Sequence, residues 1–293
     1  MEHSFTVIEA GTLTEAHGLD QPVPWWSFTK TILAATALVL VRDGRLALDR
    51  SVRSCPLRQL LQHRSGLGDY GDLAAYHEAV ARGDEPWPVS ELLERTDGRR
   101  LRYAAGQGWS YSNIGYLMVR ELIEETAGED LNMAISRLVL RPLGINGARI
   151  ARTRAELAGV AMGSASSYHP GWVYHGLAVG PLGDAALLLD RLMTGALLPP
   201  GLLEAMGKTH PVSEQNPRRP WNRPGYGLGL MSGIASCGHK VMGHTGGGPG
   251  SVIAVYHQPD AAPPFTAAAF AFGDDVGQVE KMAFSRGQSH RSV

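Results

Sequence analysis

Ser27 places a hydroxyl nucleophile three residues before the primary amine of Lys30. If Ser27 begins a helix, the two side chains lie on the same face, because residues three apart are neighbours at 3.6 residues per turn. The apolar stretch over residues 32–41 predicts a buried helix that ends near Gly44. Burial would lower the pKa of Lys30 toward the proton-accepting form, and the helix N-terminus would favour an anionic intermediate. A serine and lysine at this spacing are also common by chance, so other candidate catalytic residues are needed before the pair can be interpreted as a site.

Tyr111 and Asn113, either side of Ser112, form a second cluster just before a helix predicted to begin at Ile114. A tyrosine at a helix N-terminus near a lysine can have a lowered phenolic pKa and so relay protons. The carboxamide of Asn113 can donate to a substrate carbonyl and accept from Lys30. Taken alone, the tripeptide is explained more simply as a helix cap.

His244, Thr245 and the glycines at 246–248 form the third cluster, between two predicted strands. Glycine in a strand lets a ligand backbone come close, and an N–H there could complete an oxyanion hole. A phosphate-binding loop is the competing explanation. It fails because the glycines neither precede Lys-Ser or Lys-Thr nor open a helix.

Composition narrows the class of protein. The chain has 293 residues, 44% of them hydrophobic, which suits one large domain or two intertwined ones. The formal net charge is -1, from 27 basic and 28 acidic residues without long runs of one sign, so neither nucleic acid nor an anionic membrane surface is expected as a partner. A small-molecule ester, amide or peptide substrate fits this balance better.

Cysteine and histidine usage predicts neither a metal site nor a cofactor. Cys55 and Cys237 lack C-x-x-C spacing and are interpreted as buried thiols, and the 11 histidines never form His-Glu-x-x-His. The first residues carry no secretory signal pattern, which predicts a cytoplasmic location, with a trimmed secreted form as the alternative. The apolar stretch is too short for a membrane span. His175, in a loop-like stretch with Tyr168 and Trp172, is interpreted as a surface residue, with a place in the substrate cleft as the alternative.

Predicted strands stand at both ends of the chain, with helices between them. A hairpin is predicted over residues 5–10 and 12–17, and strands over 226–231, 240–245, 251–257 and 265–272. Helices are predicted over 57–63, 114–126, 184–194, 200–206 and 277–284, and 207–225 is expected to be an exposed connection. This order predicts one sheet assembled from both ends of the chain, with a helical region inserted into it.

The three clusters together, Ser-x-x-Lys, then Tyr-x-Asn, then His-Thr-Gly, are far more specific than any one. The chain resembles the serine beta-lactamase and penicillin-binding protein superfamily, in its class C beta-lactamase-like branch of DD-peptidases, esterases and D-amino-acid peptidases. The resemblance implies an α+β fold, with an antiparallel sheet flanked by helices and an inserted all-α domain. Residues 1–56 and 222–293 would form the α/β domain, and residues 57–221 the mainly helical one.

The resemblance also implies roles for the motif residues. Ser27 would be acylated, and Lys30 and Tyr111 would share the general base and acid duties. Asn113 would hold the substrate carbonyl, the N–H groups of Ser27 and Gly247 would form the oxyanion hole, and His244 and Thr245 would bind substrate. The expected function is a serine hydrolase that cleaves esters or D-residue-containing amides and peptides. Beta-lactam hydrolysis and acyl transfer are alternatives, and a non-turnover acyl-binding sensor is an alternative of another class.

Three departures from the family pattern stand out. His244 replaces the lysine usual in beta-lactamases, which favours a peptidase or esterase and predicts a carboxylate preference that weakens as the histidine loses its charge with rising pH. Only 26 residues precede Ser27, so a leading helix is expected to be missing, and the thinly covered sheet face is a candidate homo-oligomer interface. Trp25 and Trp26 replace small residues, and either wall the acyl pocket or pack against the sheet.

Overall fold

A computed structural model describes residues 3–52, 55–212 and 216–286. Its strands are, in chain order, β1 (His3–Glu9), β2 (Thr12–His17), β3 (Val23–Pro24), β4 (Ser51–Val52), β5 (Cys55–Pro56), β6 (Arg149–Ala151), β7 (Leu177–Gly180), β8 (His210–Pro211), β9 (Trp221–Tyr226), β10 (Met231–Ala235), β11 (Lys240–Gly248), β12 (Ser251–Gln258) and β13 (Phe265–Phe272). The main sheet has eight antiparallel strands in the order β2-β1-β13-β12-β11-β10-β9-β8, and two small sheets, β3-β7-β6 and β4-β5, accompany it.

The α-helices lie mostly between the first and last strands. They are α1 (Thr29–Arg42), α2 (Leu57–Leu61), α3 (Ala74–Arg82), α4 (Val89–Arg95), α5 (Asn113–Ala127), α6 (Leu131–Ile135), α7 (Leu182–Met193), α8 (Pro200–Gly207) and α9 (Val276–Phe284). The predicted helices α2, α5, α7, α8 and α9 are therefore confirmed to within a few residues, whereas α4 and α6 had not been predicted. None of the helices in the described ranges is long and apolar enough to cross a bilayer.

The main sheet joins the two ends of the chain, as predicted. β1 pairs with β13 over seven residues, from His3 opposite Ala271 to Glu9 opposite Phe265. Because neighbouring side chains of a strand point to opposite faces, β12 contributes to two apolar layers. Val252 and Ala254 pack with α9, whereas Ile253 belongs to the larger core that includes α1. The α+β fold with an antiparallel sheet flanked by helices is thus confirmed.

Helix α1 is buried along almost its whole length. Twelve of its residues, Thr29 to Leu40, are buried, in agreement with the apolar stretch that predicted it. The helix begins later than predicted, because Ser27 lies in a single 3-10 turn over Trp26–Phe28 that precedes it. This turn, rather than the first turn of an α-helix, carries the candidate nucleophile.

Three predictions about local structure are wrong. The strand predicted over 226–231 is two strand ends, since β9 ends at Tyr226 and β10 begins at Met231. Gly229 between them has φ +70, and a Cβ there would lie 2.3 Å from Cβ of Ala34, so the chain turns against α1. The exposed connection predicted over 207–225 contains β8 and most of β9. Cys237 is exposed, because it lies in the turn after β10, whereas Cys55 is buried as predicted.

Candidate active site

Ser27 and Lys30 meet at the start of α1. The Nζ atom of Lys30 lies 3.1 Å from Oγ of Ser27. The lysine is fully buried, whereas Ser27 keeps partial exposure to solvent. Trp26, directly before the serine, has φ +39, a left-handed conformation that residues with a side chain rarely adopt. Backbone strain of this kind collects at functional sites, where surrounding contacts hold it in place.

The surroundings of Lys30 favour its neutral form. Burial lowers the pKa of Lys30 to about 7, and the carboxylate of Asp69 opposes this change. A large fraction of the side chain is therefore a free amine near neutral pH. A free amine within hydrogen-bond distance of a hydroxyl can accept its proton, which is the task of a general base.

Tyr111 contacts the same hydroxyl from the other side. Its OH donates a hydrogen bond to Oγ of Ser27 at 2.9 Å. Burial raises the pKa of the Tyr111 phenol, and the hydrogen bond to Ser27 only partly offsets this. The expectation of a lowered phenolic pKa is therefore wrong, because desolvation outweighs the helix N-terminus and the neighbouring lysine. Tyr111 is a neutral phenol that can supply a proton.

Asn113 is held by a carboxylate that sequence reasoning missed. Asp69 accepts hydrogen bonds from the backbone N–H of Asn113 at 3.1 Å and from its side-chain Nδ2 at 3.2 Å. The amide oxygen is thereby turned toward Lys30 and accepts from Nζ at 2.7 Å. Ser112 is the helix cap, since its Oγ accepts from the N–H of Gly115. Helix capping thus explains Ser112, the middle residue of the motif. The side chains of Tyr111 and Asn113 take part in the site instead.

The glycine-rich end of β11 lies against the nucleophile turn. Pairing with β10 stops at Gly243, so, within the described residues, 244–248 pair with a strand on one side only, with β12. A Cβ on Gly246 would lie 2.6 Å from the backbone N of Ser27, which explains why this position needs glycine. A Cβ on Gly247 would make only an ordinary contact, 3.8 Å from a methyl carbon of Val252, and this glycine lines the same pocket as Ser27. This free strand edge can offer backbone N–H groups to a substrate oxygen.

A pocket of about 620 Å³ opens in front of Ser27. Asn113 and Gly247 line it close to the nucleophile, and four aromatic side chains form much of its wall: Trp26, Tyr70, Tyr76 and Tyr168. The two tryptophans therefore have different places. Trp26 walls the pocket, whereas Trp25 is fully buried in the core and donates from Nε1 to the carbonyl of Gly180.

The sequence model of the family described as Beta-lactamase matches residues 4–263 of this chain. The chain belongs to the beta-lactamase family. It is 33% identical over 141 residues to esterase EstB from Burkholderia gladioli, a match that covers 41% of this chain and 36% of the esterase. The chain therefore matches only about a third of the length of that curated relative.

Solved structures with the beta-lactamase-family fold resemble the whole chain. A D-stereospecific amidohydrolase from Streptomyces sp. has a TM-score of 0.80 at 24% identity, covering 97% of this chain and 94% of that one. The D-amino acid amidase from Ochrobactrum anthropi SV3, complexed with L-phenylalanine, has a TM-score of 0.81 at 19% identity, covering 98% and 94%. At these identities the comparison shows a shared fold.

His244 differs from what the beta-lactamase-family pattern suggested. It is fully buried, with Nε2 2.9 Å from the OH of Tyr226 and Nδ1 2.7 Å from the carbonyl oxygen of Thr245. Burial lowers the pKa of His244 to about 3, and the charge of Lys30 adds to the effect. The expectation that it titrates near neutrality is therefore wrong. A neutral His244 does not supply a cation for a substrate carboxylate.

Thr245 also takes a different place in this beta-lactamase-family site. Its Oγ1 donates to the carboxylate of Glu280 on α9 at 2.6 Å and lies 2.7 Å from the OH of Tyr256. Alternation along β11 explains this, because a strand that turns His244 to one face must turn Thr245 to the other. The structure brings Ser27, Lys30, Tyr111, Asn113 and Gly247 together, but engages the Thr245 side chain in the layer beneath α9.

His175 is another residue whose place in the structure differs from the sequence-based interpretation. It is only 2% exposed, and its Nε2 lies 3.1 Å from Nζ of Lys30. It also lines the pocket, so the interpretation as a surface residue is wrong. The available signal was its position two residues before the apolar strand β7, next to Gly176, whose φ is +98.

Proposed function

We propose that this protein is a serine hydrolase that forms an acyl-enzyme on Ser27 and cleaves esters or amides. One observation carries the proposal: Oγ of Ser27 lies within hydrogen-bond distance of both the Lys30 amine and the Tyr111 phenol, on a pocket large enough for a small substrate. A nucleophile, a base and an acid are thus assembled around one oxygen, as covalent acyl transfer requires.

Acylation begins when the neutral amine of Lys30 removes the proton of Ser27 and Oγ attacks the substrate carbonyl carbon. The carbonyl oxygen becomes an anion, which the N–H groups of Ser27 and Gly247 stabilise. The tetrahedral intermediate collapses as Tyr111 gives its proton to the leaving alkoxide or amine. Transfer of the proton held by Lys30 to the Tyr111 phenolate then restores the neutral amine and the neutral phenol. The products are the acyl-serine and a free alcohol or amine.

Deacylation uses the same residues with water as the nucleophile. Water gives one proton to Lys30 or Tyr111 as its oxygen attacks the acyl carbon. When the tetrahedral intermediate collapses, that proton is returned to Oγ of Ser27, which leaves as the hydroxyl. The carboxylic acid departs, and Ser27 and Lys30 return to their starting forms. An alcohol or amine in place of this water would give acyl transfer by the same steps.

Two observations favour uncharged esters and amides over anionic substrates. The neutral, buried His244 takes the position where a lysine would provide a cation. The aromatic wall of the pocket, with Trp26, Tyr70 and Tyr168, suits an apolar acyl group. The names of similar proteins include an esterase and a D-amino acid amidase, which adds D-amino-acid amides to the candidate substrates. Beta-lactams, whose acyl group would also reach Ser27, are the second candidate class.

Short-chain p-nitrophenyl esters, D-amino-acid amides and a beta-lactam together test the proposal. We expect turnover of at least one class and a mass increase on Ser27 that matches its acyl group. Ser27→Ala should remove both, whereas Ser90→Ala, on the exposed face of α4, should change neither. Full activity in Ser27→Ala would overturn the mechanism. An adduct on Ser27 that never releases product would instead identify the acyl-binding sensor.

We also propose that β2 is a contact surface between copies of the chain. All six of its residues are exposed, Leu13 is 55% exposed, and the strand forms one edge of the main sheet. An uncovered edge strand offers unpaired backbone groups to another strand. Light scattering should give a mass above 31.5 kDa, which Thr14→Pro should return to the monomer value. A monomeric unaltered protein at high concentration would contradict this.

A further inference from the structure

His175 holds a fixed place beside the catalytic amine. The chain makes a tight turn here, in which the N–H of Gly176 donates to the carbonyl of Val173 at 2.7 Å. A Cβ on Gly176 would lie 2.8 Å from a methyl carbon of Leu131, so the turn is packed against α6. This packing brings Nε2 of His175 to 3.1 Å from Nζ of Lys30, and the ring is 2% exposed.

The number of hydrogen-bond partners around Nζ of Lys30 decides which of them faces the lone pair of the neutral amine. Among residues 3–52, 55–212 and 216–286, three atoms lie within hydrogen-bond distance of it: Oγ of Ser27 at 3.1 Å, Oδ1 of Asn113 at 2.7 Å and Nε2 of His175 at 3.1 Å. An ammonium group has three N–H donors and can satisfy all three partners. A neutral amine has two N–H donors and one lone pair, so one partner must face the lone pair.

Asn113 cannot face the lone pair, because its amide is fixed. Nδ2 donates to Asp69, and this leaves the oxygen, which only accepts, toward Lys30. The outcome then depends on the tautomer of His175. With its proton on Nδ1, His175 accepts an N–H from Lys30, and the lone pair is left for Ser27. With its proton on Nε2, the histidine would occupy the lone pair and block the base.

The charged form of Lys30 selects the productive tautomer. An ammonium group has no lone pair, so Nε2 of His175 must accept from it and the imidazole proton must sit on Nδ1. In the part of the chain that the structure describes, Nδ1 is buried without a hydrogen-bond partner. No neighbouring group is therefore placed to relay the proton from Nδ1 to Nε2 when Lys30 becomes neutral. Burial, together with the charge of Lys30, keeps the pKa of His175 well below its ordinary value, so the ring stays neutral.

We propose that His175 is a positioning residue that directs the lone pair of Lys30 at Ser27. This rests on the proposed function, because it concerns the base of the acylation step. His175 accepts one N–H, Asn113 accepts the other, and Ser27 is the remaining partner. Besides Lys30, the groups whose charges lower the pKa of His175 are His244, His63 and Arg120. Asp69 opposes the lowered pKa of Lys30, and the Tyr111 ring lies beside the amine, with its centroid 5.0 Å from Nζ.

The test compares His175→Leu with His175→Gln on a p-nitrophenyl ester across pH 5–9. Leucine removes the acceptor, so we expect kcat/KM to fall about 10- to 100-fold with KM little changed. The pH midpoint should also move down, because the ammonium form loses one acceptor. Glutamine can present an oxygen to Lys30 and should restore most of the rate. His257→Leu, at a buried histidine of β12, is the matched control and should keep the original pH midpoint.

Several results would overturn the proposal. If His175→Leu and His175→Gln lose kcat/KM equally and the pH midpoint does not move, His175 is a packing residue. If KM rises while kcat is unchanged, His175 is a substrate contact. Imidazole ¹⁵N NMR of the free protein, assigned with His175→Gln, should show the Nδ1–H tautomer, and an Nε2–H signal would also refute the idea. This spectrum needs no turnover. A protein that shows the Nδ1–H tautomer but never acylates Ser27 would therefore refute the hydrolase proposal and leave the tautomer assignment standing.

Discussion

Asp69 holds Asn113 by two hydrogen bonds, one to its backbone N–H and one to its side-chain amide. Two donors on one carboxylate leave the asparagine a single orientation, with its oxygen toward Lys30. Asp69 is also the charge that opposes the lowered pKa of Lys30. Asp69 therefore acts on Lys30 in two ways. It fixes the orientation of Asn113, which accepts from Lys30, and its charge raises the pKa of Lys30.

Asp69→Asn should separate these two effects. The new amide can let Asn113 flip and point its NH₂ at Lys30, so we expect kcat/KM to fall about tenfold or more. Loss of the negative charge should lower the pKa of Lys30 further, which moves the midpoint of the pH-rate profile to lower pH. Asp72→Asn, at an exposed residue paired with Arg102, is the control for a nearby charge. A midpoint that rises would contradict this account.

The pKa of Lys30 predicts the pH dependence of acylation. Because the base must be neutral and burial lowers its pKa to about 7, the acylation rate should increase with pH through about 7 and then level off. Stopped-flow release of p-nitrophenol over pH 5–9 measures this directly. A midpoint near the ordinary lysine value of 10.5 would show that Lys30 is not buried as described.

Lys30→Met should abolish turnover and stabilise the protein. Between pH 7 and 10.5 the unfolded chain holds a proton on Lys30 that the folded one lacks, so native stability increases with pH across this range. The desolvation penalty is thus largest at pH 7 and below, and methionine removes it. We expect Tm to rise by about 2–4 °C for each kcal/mol gained, with the gain shrinking toward pH 10. Equal gains in Tm at pH 7 and at pH 10 would contradict this dependence of stability on the protonation of Lys30.

Tyr111→Phe tests the neutral phenol. Removal of the OH takes away the proton donor to the leaving group, and we expect kcat to fall about 10²- to 10⁴-fold. Because burial raises the pKa of Tyr111, the unaltered enzyme should lose no activity between pH 8 and 10 through ionisation of this phenol. An alkaline loss in that range that disappears in Tyr111→Phe would mean that the phenol ionises.

Gly246→Ala and Gly247→Ala form a matched pair. A Cβ on Gly246 would meet the backbone of Ser27 at 2.6 Å, whereas one on Gly247 would have its nearest neighbour, a methyl carbon of Val252, at 3.8 Å. We expect Gly246→Ala to lose acylation and several degrees in Tm, because backbone must move. Gly247→Ala should keep the Tm of the unaltered protein. Equal Tm values for the two variants would show that β11 is not packed against the nucleophile turn.

His244 predicts a loss of stability in acid. Its folded pKa is lowered from 6.5 to about 3, so below pH 6.5 the unfolded chain binds a proton that the folded chain does not. The free energy of unfolding should therefore decrease as pH falls from 6.5 toward 3. Urea unfolding of the unaltered protein and His244→Gln at pH 7, 6, 5 and 4 measures this, and the variant should show a weaker dependence. An equal dependence in both would assign the effect to other groups.

Much of the architecture follows from local patterns. The apolar stretch before Val41 predicted α1 because a helix with few polar positions must be buried. The strand order of the chain predicted that both ends share one sheet, which the pairing of β1 with β13 confirms. Short motifs also selected Ser27, Lys30 and Tyr111 for one site, since their chemistry makes sense only together.

What could not be predicted depends on how distant segments pack. The direction of the Tyr111 and His244 pKa changes follows from burial, and burial is a property of the assembled core. Asp69 and His175 come from loops with no periodic pattern, so the contact of Asp69 with Asn113 and that of His175 with Lys30 become visible only in the folded structure. The side chain of Thr245 faces α9 instead of the pocket because of the register of β11, which a glycine-rich sequence leaves open.

The contact between Gly246 and the nucleophile turn has a consequence for how the molecule is assayed. The turn comes from the start of the chain and the glycine from near its end, so a partly unfolded form could keep Ser27 beside Lys30 yet lack the strand edge opposite them. An acylating probe would label such a form poorly. The extent of labelling during denaturation therefore counts the molecules in which both ends of the chain have docked, without a separate reporter of structure.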